Sequence, residues 1–319
     1  MKAMTLEQIA AFLREHDRYL ILMHKSPDGD AVGSGYALCM ALRNMGKQAD
    51  TLCGDPIPSI YSYFTDKVPN EGFEPECIIS VDLATASLLS GRALEYQDRV
   101  DLCIDHHASN TGYAKMGYVD GTISSCAEII KYLFDTMDIP VTRDMANAIF
   151  TGMCTDTGCF KYSSVSPETH RTAADLMEKG AESAFICHLM FDSKSRSKIL
   201  LEKLVLETLE YYGEGAIAFV MITKAMVEQS GAQESDMDGI ASMPRQIEGV
   251  RIGVTMKEKE QGEFRFSVRT SDDIDASSIC RHFGGGGHKA AAGCSIHTSM
   301  PEAKSEMLRV CMESLEGNL

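Results

Sequence analysis

The chain of 319 residues has no tryptophan, only 9 prolines, and fewer basic than acidic residues, 30 Lys plus Arg against 46 Asp plus Glu. The formal net charge of −16 disfavours a surface built to grip long nucleic acid by its phosphates, since such proteins are usually basic. Duplex DNA is therefore not an expected partner. A small anionic substrate stays open, because bound cations can reverse the local field. No apolar run approaches the ~18 residues that a membrane span needs, and residues 1–7 lack the apolar core of a signal peptide. No membrane association is expected. The 11 cysteines include no Cys-x-x-Cys pair. Cys39, Cys103 and Cys154 fall inside apolar runs, where Cys acts as a small hydrophobe, and a reduced, cytoplasmic compartment fits this usage. The Gly-x-x-x-x-Gly-Lys-[Ser/Thr] phosphate loop is also missing, and Gly33-Ser34-Gly35 lacks the third glycine of a dinucleotide fingerprint.

What is present reads as α/β. The length allows two domains with separate cores, and 44% hydrophobic with 24% charged residues is an ordinary globular balance. Thr5-x-x-Gln8 predicts a capping box opening a helix to about residue 16. Strands are predicted at 19–23, 77–81 and 100–104, and helices at 31–44, 125–137, 142–153 and 167–179. Strands alternating with helices imply a mainly parallel sheet with helices on both faces. Residues 193–212 carry a charged helical pattern with little to bury, read as a linker helix between a domain at 1–190 and a smaller α/β domain with a mixed sheet at 214–319. In that second domain strands are predicted at 216–222, 250–256, 264–270 and 290–297, and helices at 274–282 and from 301 onward. The stretch Gly284-Gly285-Gly286-Gly287-His288 is predicted to break the chain.

Three predicted strands end in residues able to ligate a metal. The first runs into His24-Lys25-Ser26-Pro27-Asp28-Gly29-Asp30, the second into Asp82, and the third into Asp105-His106-His107. Ligands bind outside the carboxyl ends of strands in open parallel sheets, so these residues converge on one rim. Asp156, in Thr155-Asp156-Thr157-Gly158, is a fourth candidate. Pro27 and Gly29 force a tight turn, and carboxylates as close as Asp28 and Asp30 need compensating cations between them.

These segments, taken together, resemble the motifs of the DHH phosphoesterase superfamily. The run from His24 to Ser34 is similar to its first motif, Val81-Asp82 to the second, Asp105-His106-His107 to the third and Thr155-Asp156-Thr157-Gly158 to the fourth. Ser267-Val268-Arg269-Thr270 and the run from Gly284 to Gly293 resemble the C-terminal DHH-associated domain. Length and the glycine motif place the chain nearest the stand-alone nanoRNase/pAp-phosphatase subgroup. The resemblance implies two Mn²⁺ ions, with Mg²⁺, Co²⁺ or Fe²⁺ as alternatives. His24, Asp28 and Asp82 would hold one. Asp30, Asp82, His106 and Asp156 would hold the other, with Asp82 bridging. It further implies that Asp105 supports the histidines and that His107 faces substrate, as proton donor or phosphate contact. Gly285, Gly286, Gly287, His288 and Arg269 would bind substrate. The expected reaction is attack of a metal-activated water on phosphorus. The expected substrates are short single-stranded RNA or 3′-phosphoadenosine 5′-phosphate (pAp), with cyclic di-AMP or its linear product pApA as the alternative. A nucleotide-binding regulator without catalysis is a reading of another class, and a homodimer is left open.

Overall fold

The parallel sheet of the first half is assembled from short apolar strands whose order sets where the ligand-bearing residues meet. The computed structural model describes residues 1–237, 239–259, 262–271 and 273–317, and the chain divides into two compact units, Met1–Ser193 and Lys194–Leu319.

In the first unit β1 (Lys2–Ala3) leads into α1 (Leu6–Glu15), where Thr5 and Gln8 form the expected capping box. β2 (Tyr19–Leu22) is followed by α2 (Gly29–Asn44), β3 (Ala49–Leu52), the one-turn α3 (Ser62–Thr65), β4 (Cys77–Val81), β5 (Leu102–Asp105) and β6 (Met116–Val119). Helices α4 (Cys126–Thr136), α5 (Arg143–Asp156), α6 (Pro167–Glu178) and α7 (Ser183–Cys187) complete it. All pairings in the sheet are parallel, in the order β1-β6-β5-β4-β2-β3. Every residue of β2 and β4 is buried, as expected of strands covered on both sides. One face packs Ile21, Val81 and Ile104 against α1, α2, α4 and α5. The other packs Leu20, Ile78 and Cys103 under Leu89 and Ala93, where the cover includes the short 3₁₀ helices Ala86–Leu88 and Gly91–Tyr96.

Helix α2 starts two residues before the predicted 31, because the Asp28 carboxylate caps it by accepting from the Asp30 and Ala31 amides, both at 3.0 Å. α2 lies close against α5. A Cβ on Gly33 would stand 2.3 Å from the Ala148 carbonyl oxygen, and one on Gly152 would stand 2.5 Å from the Ala127 methyl and 2.8 Å from an Asp30 carboxylate oxygen. Glycine at both positions lets the helices bring Asp30 and Asp156 to one place. Gly33→Ala is expected to destabilise the protein by about 1–3 kcal/mol or more, because the obstacle is backbone and cannot rotate away. Thermal denaturation of the variant measures this directly.

The second unit opens with α8 (Arg196–Leu206), then β7 (Glu210–Tyr212), β8 (Ile217–Ile222), α9 (Lys224–Ser230), β9 (Ile252–Glu258), β10 (Glu263–Thr270), α10 (Ala276–Arg281), β11 (Gly286–His288), β12 (Ala291–His297) and α11 (Met300–Leu315). The sheet is mixed, in the order β11-β12-β10-β9-β8-β7, with only β8 and β9 parallel. Phe264, Phe266 and Val268 point to a core with α10 and α11. The helical pattern predicted over 193–212 stops at Leu206, and its last residues form edge strand β7 instead. α8 also buries more than its pattern suggested: Leu201 and Val205 pack with Val220 and Ile222. The glycine stretch does not simply break the chain, since Gly286, Gly287 and His288 pair with Gly293, Ala292 and Ala291.

Candidate metal centre

Strand order explains why residues far apart in sequence meet. β4 is hydrogen-bonded between β2 and β5, so the residue following it lies between the residues following its neighbours. The chain also reverses direction across the sheet here, with β3 on one side of β2 and β4 on the other, which makes the carboxyl ends of β2 and β4 the switch-point crevice. Asp82, immediately after β4, is 2% exposed and adopts a left-handed backbone, φ 51°. One of its oxygens lies 3.7 Å from His24 Nε2 and the other 3.5 Å from His106 Nε2.

Around Asp82 the donors fall into overlapping groups. His24, Asp28 and Asp82 place one ligand atom each within 4.8 Å of one another, and so do Asp30, His106 and Asp156. His106 Nε2 is 3.7 Å from Asp30 and 3.4 Å from Asp156, and His24 Nε2 is 3.7 Å from Asp28. The far side of each imidazole is tied down. His24 Nδ1 meets the Lys25 carbonyl oxygen at 2.8 Å and His106 Nδ1 meets that of Ile123 at 3.3 Å. A carbonyl can only accept, so Nδ1 is the protonated nitrogen in the neutral ring and the Nε2 lone pair faces the carboxylates. Asp82 Oδ1 and His106 Nε2 are buried and have no hydrogen-bond partner among the described residues. Such orphaned atoms are costly unless something pairs with them, and a divalent cation between them satisfies both. The mixed imidazole and carboxylate donors suit Mn²⁺ and its neighbours in the first transition row.

The electrostatics point the same way. Burial by itself would lower the His24 pKa, but Asp28 and Asp82 outweigh it and push it up to about 11. His106, also opposed by burial, is pushed up to about 10 by Asp82, Asp30 and Asp156. Burial raises Asp30 well above the usual carboxylate range, and repulsion from Asp82 and Asp156 adds to it. Asp156 rises to about 6 through burial and repulsion from Asp82 and Asp28, partly offset by His106. Asp82 alone shifts downward: burial opposes ionisation, but the two histidines overcome it. Without metal the cluster therefore draws in protons where cations would sit.

His107 is oriented differently. Its Nδ1 is 2.7 Å from Asp105 Oδ1, and this bond is the first cause of its raised pKa, ahead of the opposing burial. Nε2 is left at the open side of a side chain that is 43% exposed. Asp105 is fully buried and also accepts from the His106 amide at 2.9 Å and from Asn110 Nδ2 at 2.7 Å. Asn110 was not singled out in the sequence. Neither were the Cys126 and Ala127 amides, which donate to Asp30 at 2.7 and 2.8 Å from the first turn of α4. Ser125 signals that helix start in the sequence, but nothing there says which carboxylate the helix faces.

The remaining candidates, Arg269 and the glycine-histidine run, lie on the sheet of the second unit. Residues paired across antiparallel strands share a face. Arg269, Ala291 and His288 form one such row, and Ser267, Gly293 and Gly286 the next. The two rows make a floor with almost no side chain, flanked by Arg269 and His288. The glycines differ in what they tolerate. A Cβ on Gly285 would meet the Gly293 carbonyl oxygen at 2.3 Å and one on Gly287 the Ala291 carbonyl oxygen at 2.6 Å, while Gly286 has open space above it.

Comparison with known proteins places this geometry in a family. Residues 18–153 match the DHH family, N-terminal domain, and residues 214–316 match the DHHA1 domain. The "Bifunctional oligoribonuclease and PAP phosphatase NrnA" of Thermus thermophilus is 30% identical over 303 residues, covering 92% of this chain and 89% of the relative. A protein of the same name from Bacillus subtilis is 27% identical, covering 89% and 90%. The crystal structure of an exopolyphosphatase-related protein from Bacteroides fragilis shares the fold, with a TM-score of 0.84 over 97% of this chain and 95% of that one at 23% identity. The chain belongs to the DHH family of metal-dependent phosphoesterases, on the NrnA-like branch that joins a DHH domain to a DHHA1 domain.

Proposed function

We propose that this enzyme hydrolyses short oligoribonucleotides and pAp with two Mn²⁺ ions held by His24, Asp28, Asp30, Asp82, His106 and Asp156. The observation that carries the reading is the pair of orphaned atoms, Asp82 Oδ1 and His106 Nε2, at the point where the two donor groups meet. Bound there, the cations would supply an activated water and positive charge for the phosphate oxygens. The substrate class is supported by the activities named for the Thermus and Bacillus relatives. The net charge of −16 fits a short substrate better than a polymer. A reducing, cytoplasmic setting fits the 11 free cysteines.

The chain's own residues account for orientation and proton handling. Asp105 accepts from His107 Nδ1–H and raises the pKa of the ring, which favours the doubly protonated imidazolium; in that form Nε2–H can donate to the leaving oxygen or to a non-bridging phosphate oxygen. The glycine floor beside Arg269 and His288 suits a planar or phosphate group, with Arg269 able to fork onto the anion. His107→Ala is expected to lower kcat by about 10²–10⁴-fold, the range for loss of a general acid, with metal content unchanged by elemental analysis.

Turnover of pAp, pApA, cyclic di-AMP and 2–5-mer RNA by the Mn²⁺-loaded protein tests the substrate assignment. Hydrolysis of pAp or the short RNAs is the expected result. Turnover of a cyclic dinucleotide alone would overturn it.

A further inference from the structure

Close in sequence to Asp156 lies a second group of side chains able to ligate a metal, of a different chemical kind. Cys154 near the end of α5, Cys159 in the turn after it, and Cys187 at the end of α7 bring their three sulfurs within 4.8 Å of one another. The Cys154 and Cys187 sulfurs are 3.6 Å apart. Tetrahedral coordination with metal–sulfur bonds of ~2.3 Å puts neighbouring sulfurs about 3.8 Å apart, so the Cys154–Cys187 separation is compatible with two thiolates on one ion, and the third sulfur lies within reach of the same point. It is far longer than a disulfide bond, and all three cysteines are free. Among the described residues no other three cysteines meet in this way.

The backbone here is held in an unusual form. Gly158, Cys159 and Phe160 have φ of 56°, 60° and 60°, and the Cys159 amide donates to the Cys154 carbonyl at 2.7 Å. Two consecutive residues with side chains in the left-handed region persist only where surroundings hold them. That turn carries the Cys159 sulfur back toward Cys154. Cys154 is buried, whereas Cys159 and Cys187 are half-buried, which leaves the cluster an approach for an ion from solvent.

We propose that Cys154, Cys159 and Cys187 form a three-thiolate site for a thiophilic divalent cation of the zinc class, clamping the turn that follows Asp156. Binding forms three metal–sulfur bonds and releases the three thiol protons to solvent, and no oxidant or reductant is involved. Soft sulfur ligands favour Zn²⁺ or Cd²⁺, whereas the oxygen-rich cluster beside them favours Mn²⁺ or Mg²⁺. Two neighbouring sites with opposite preferences can therefore be filled by different ions. Cys154 is two residues before Asp156 and Cys159 three after it, so an ion on the sulfurs steadies the helix end that presents this carboxylate. The site stands on sulfur geometry and does not depend on which phosphoester is cleaved.

The test uses the full chain, stripped of metal, kept reduced with a phosphine and saturated with Mn²⁺, then titrated with Cd²⁺. The wild-type protein is expected to take up one Cd²⁺ with an ultraviolet sulfur-to-metal charge-transfer band, which excess Mn²⁺ does not remove. Cys159→Ser and Cys187→Ser should each weaken that uptake by at least the about 10–100-fold that even an indirect ligand contact is worth. Cys39→Ser, remote from the cluster in sequence and bonded to the Ala49 carbonyl, should leave it unchanged. X-ray absorption at the zinc edge of the Zn²⁺-loaded protein should count three sulfur neighbours. The proposal is overturned if the wild type shows no such band, or if the band survives both Cys159→Ser and Cys187→Ser. Circular dichroism of each variant separates loss of the site from loss of the fold.

Discussion

Replacing Asp82 by Asn is expected to lower kcat/KM for phosphoester hydrolysis by about 10³-fold or more, exceeding what loss of one oxyanion-stabilising donor costs. Asp82 is the carboxylate shared between donor groups, with one oxygen toward His24 and the other toward His106. No neighbour can replace it: Asp28 reaches His24, and Asp30 and Asp156 reach His106. Asn has the same shape and tolerates the left-handed backbone found at this position, φ 51°. It offers only one neutral acceptor oxygen, so the variant should fold but hold less metal. Steady-state kinetics with pAp and short RNA, metal content and circular dichroism together check each part. Retained activity at wild-type metal content would show that Asp82 does not link the two groups.

Removing the metal is expected to abolish hydrolysis and to leave a protein whose stability falls as pH rises. In the metal-free protein His24 and His106 have pKa values of about 11 and about 10, above the ordinary histidine value. Their contribution to stability is complete below about pH 6.5 and is lost as pH rises toward those raised values. Asp156, raised to about 6, acts in the same sense at lower pH, and Asp30 is raised as well. Asp82, lowered, does not titrate in this window. The chelated protein should therefore melt at progressively lower temperature between pH 6.5 and 8.5. Cation binding requires these same ligands without protons, so its apparent affinity rises with pH, by up to about tenfold per pH unit for each proton displaced. The gap between Mn²⁺-loaded and chelated melting temperatures should widen across that interval. A constant gap would mean that the ion does not displace the histidine protons. Activity should return on adding Mn²⁺ back.

The elements most legible in the sequence were those with a sharp local signal. The run 77–81, apolar except for Ser80, matches β4, and Thr5 with Gln8 marks the start of α1. Strands β3 and β6 were missed because Asp50, Thr51 and Gly117 interrupt their apolar pattern, although Asp50 is buried against Arg43. The helix predicted through 212 was too long because Glu210–Tyr212 pairs with β8, a long-range contact that helical periodicity cannot register. Convergence of the strand-end residues was legible because a parallel sheet puts all carboxyl ends on one rim. The hydrogen bonds that aim them were not. Asn110 and the amides of α4 act through three-dimensional placement alone.

The position of β4 between β2 and β5 also has a kinetic meaning. His24, Asp82 and His106 meet only after two parallel pairings have joined distant segments of chain, and such pairings are slow because the loops must close first. A complete ligand set is therefore a late product of folding. Ions that bind it act mainly on the native side of the barrier, slowing unfolding while leaving refolding little changed. For this enzyme, metal supply would govern how long a folded molecule lasts more than how quickly one forms.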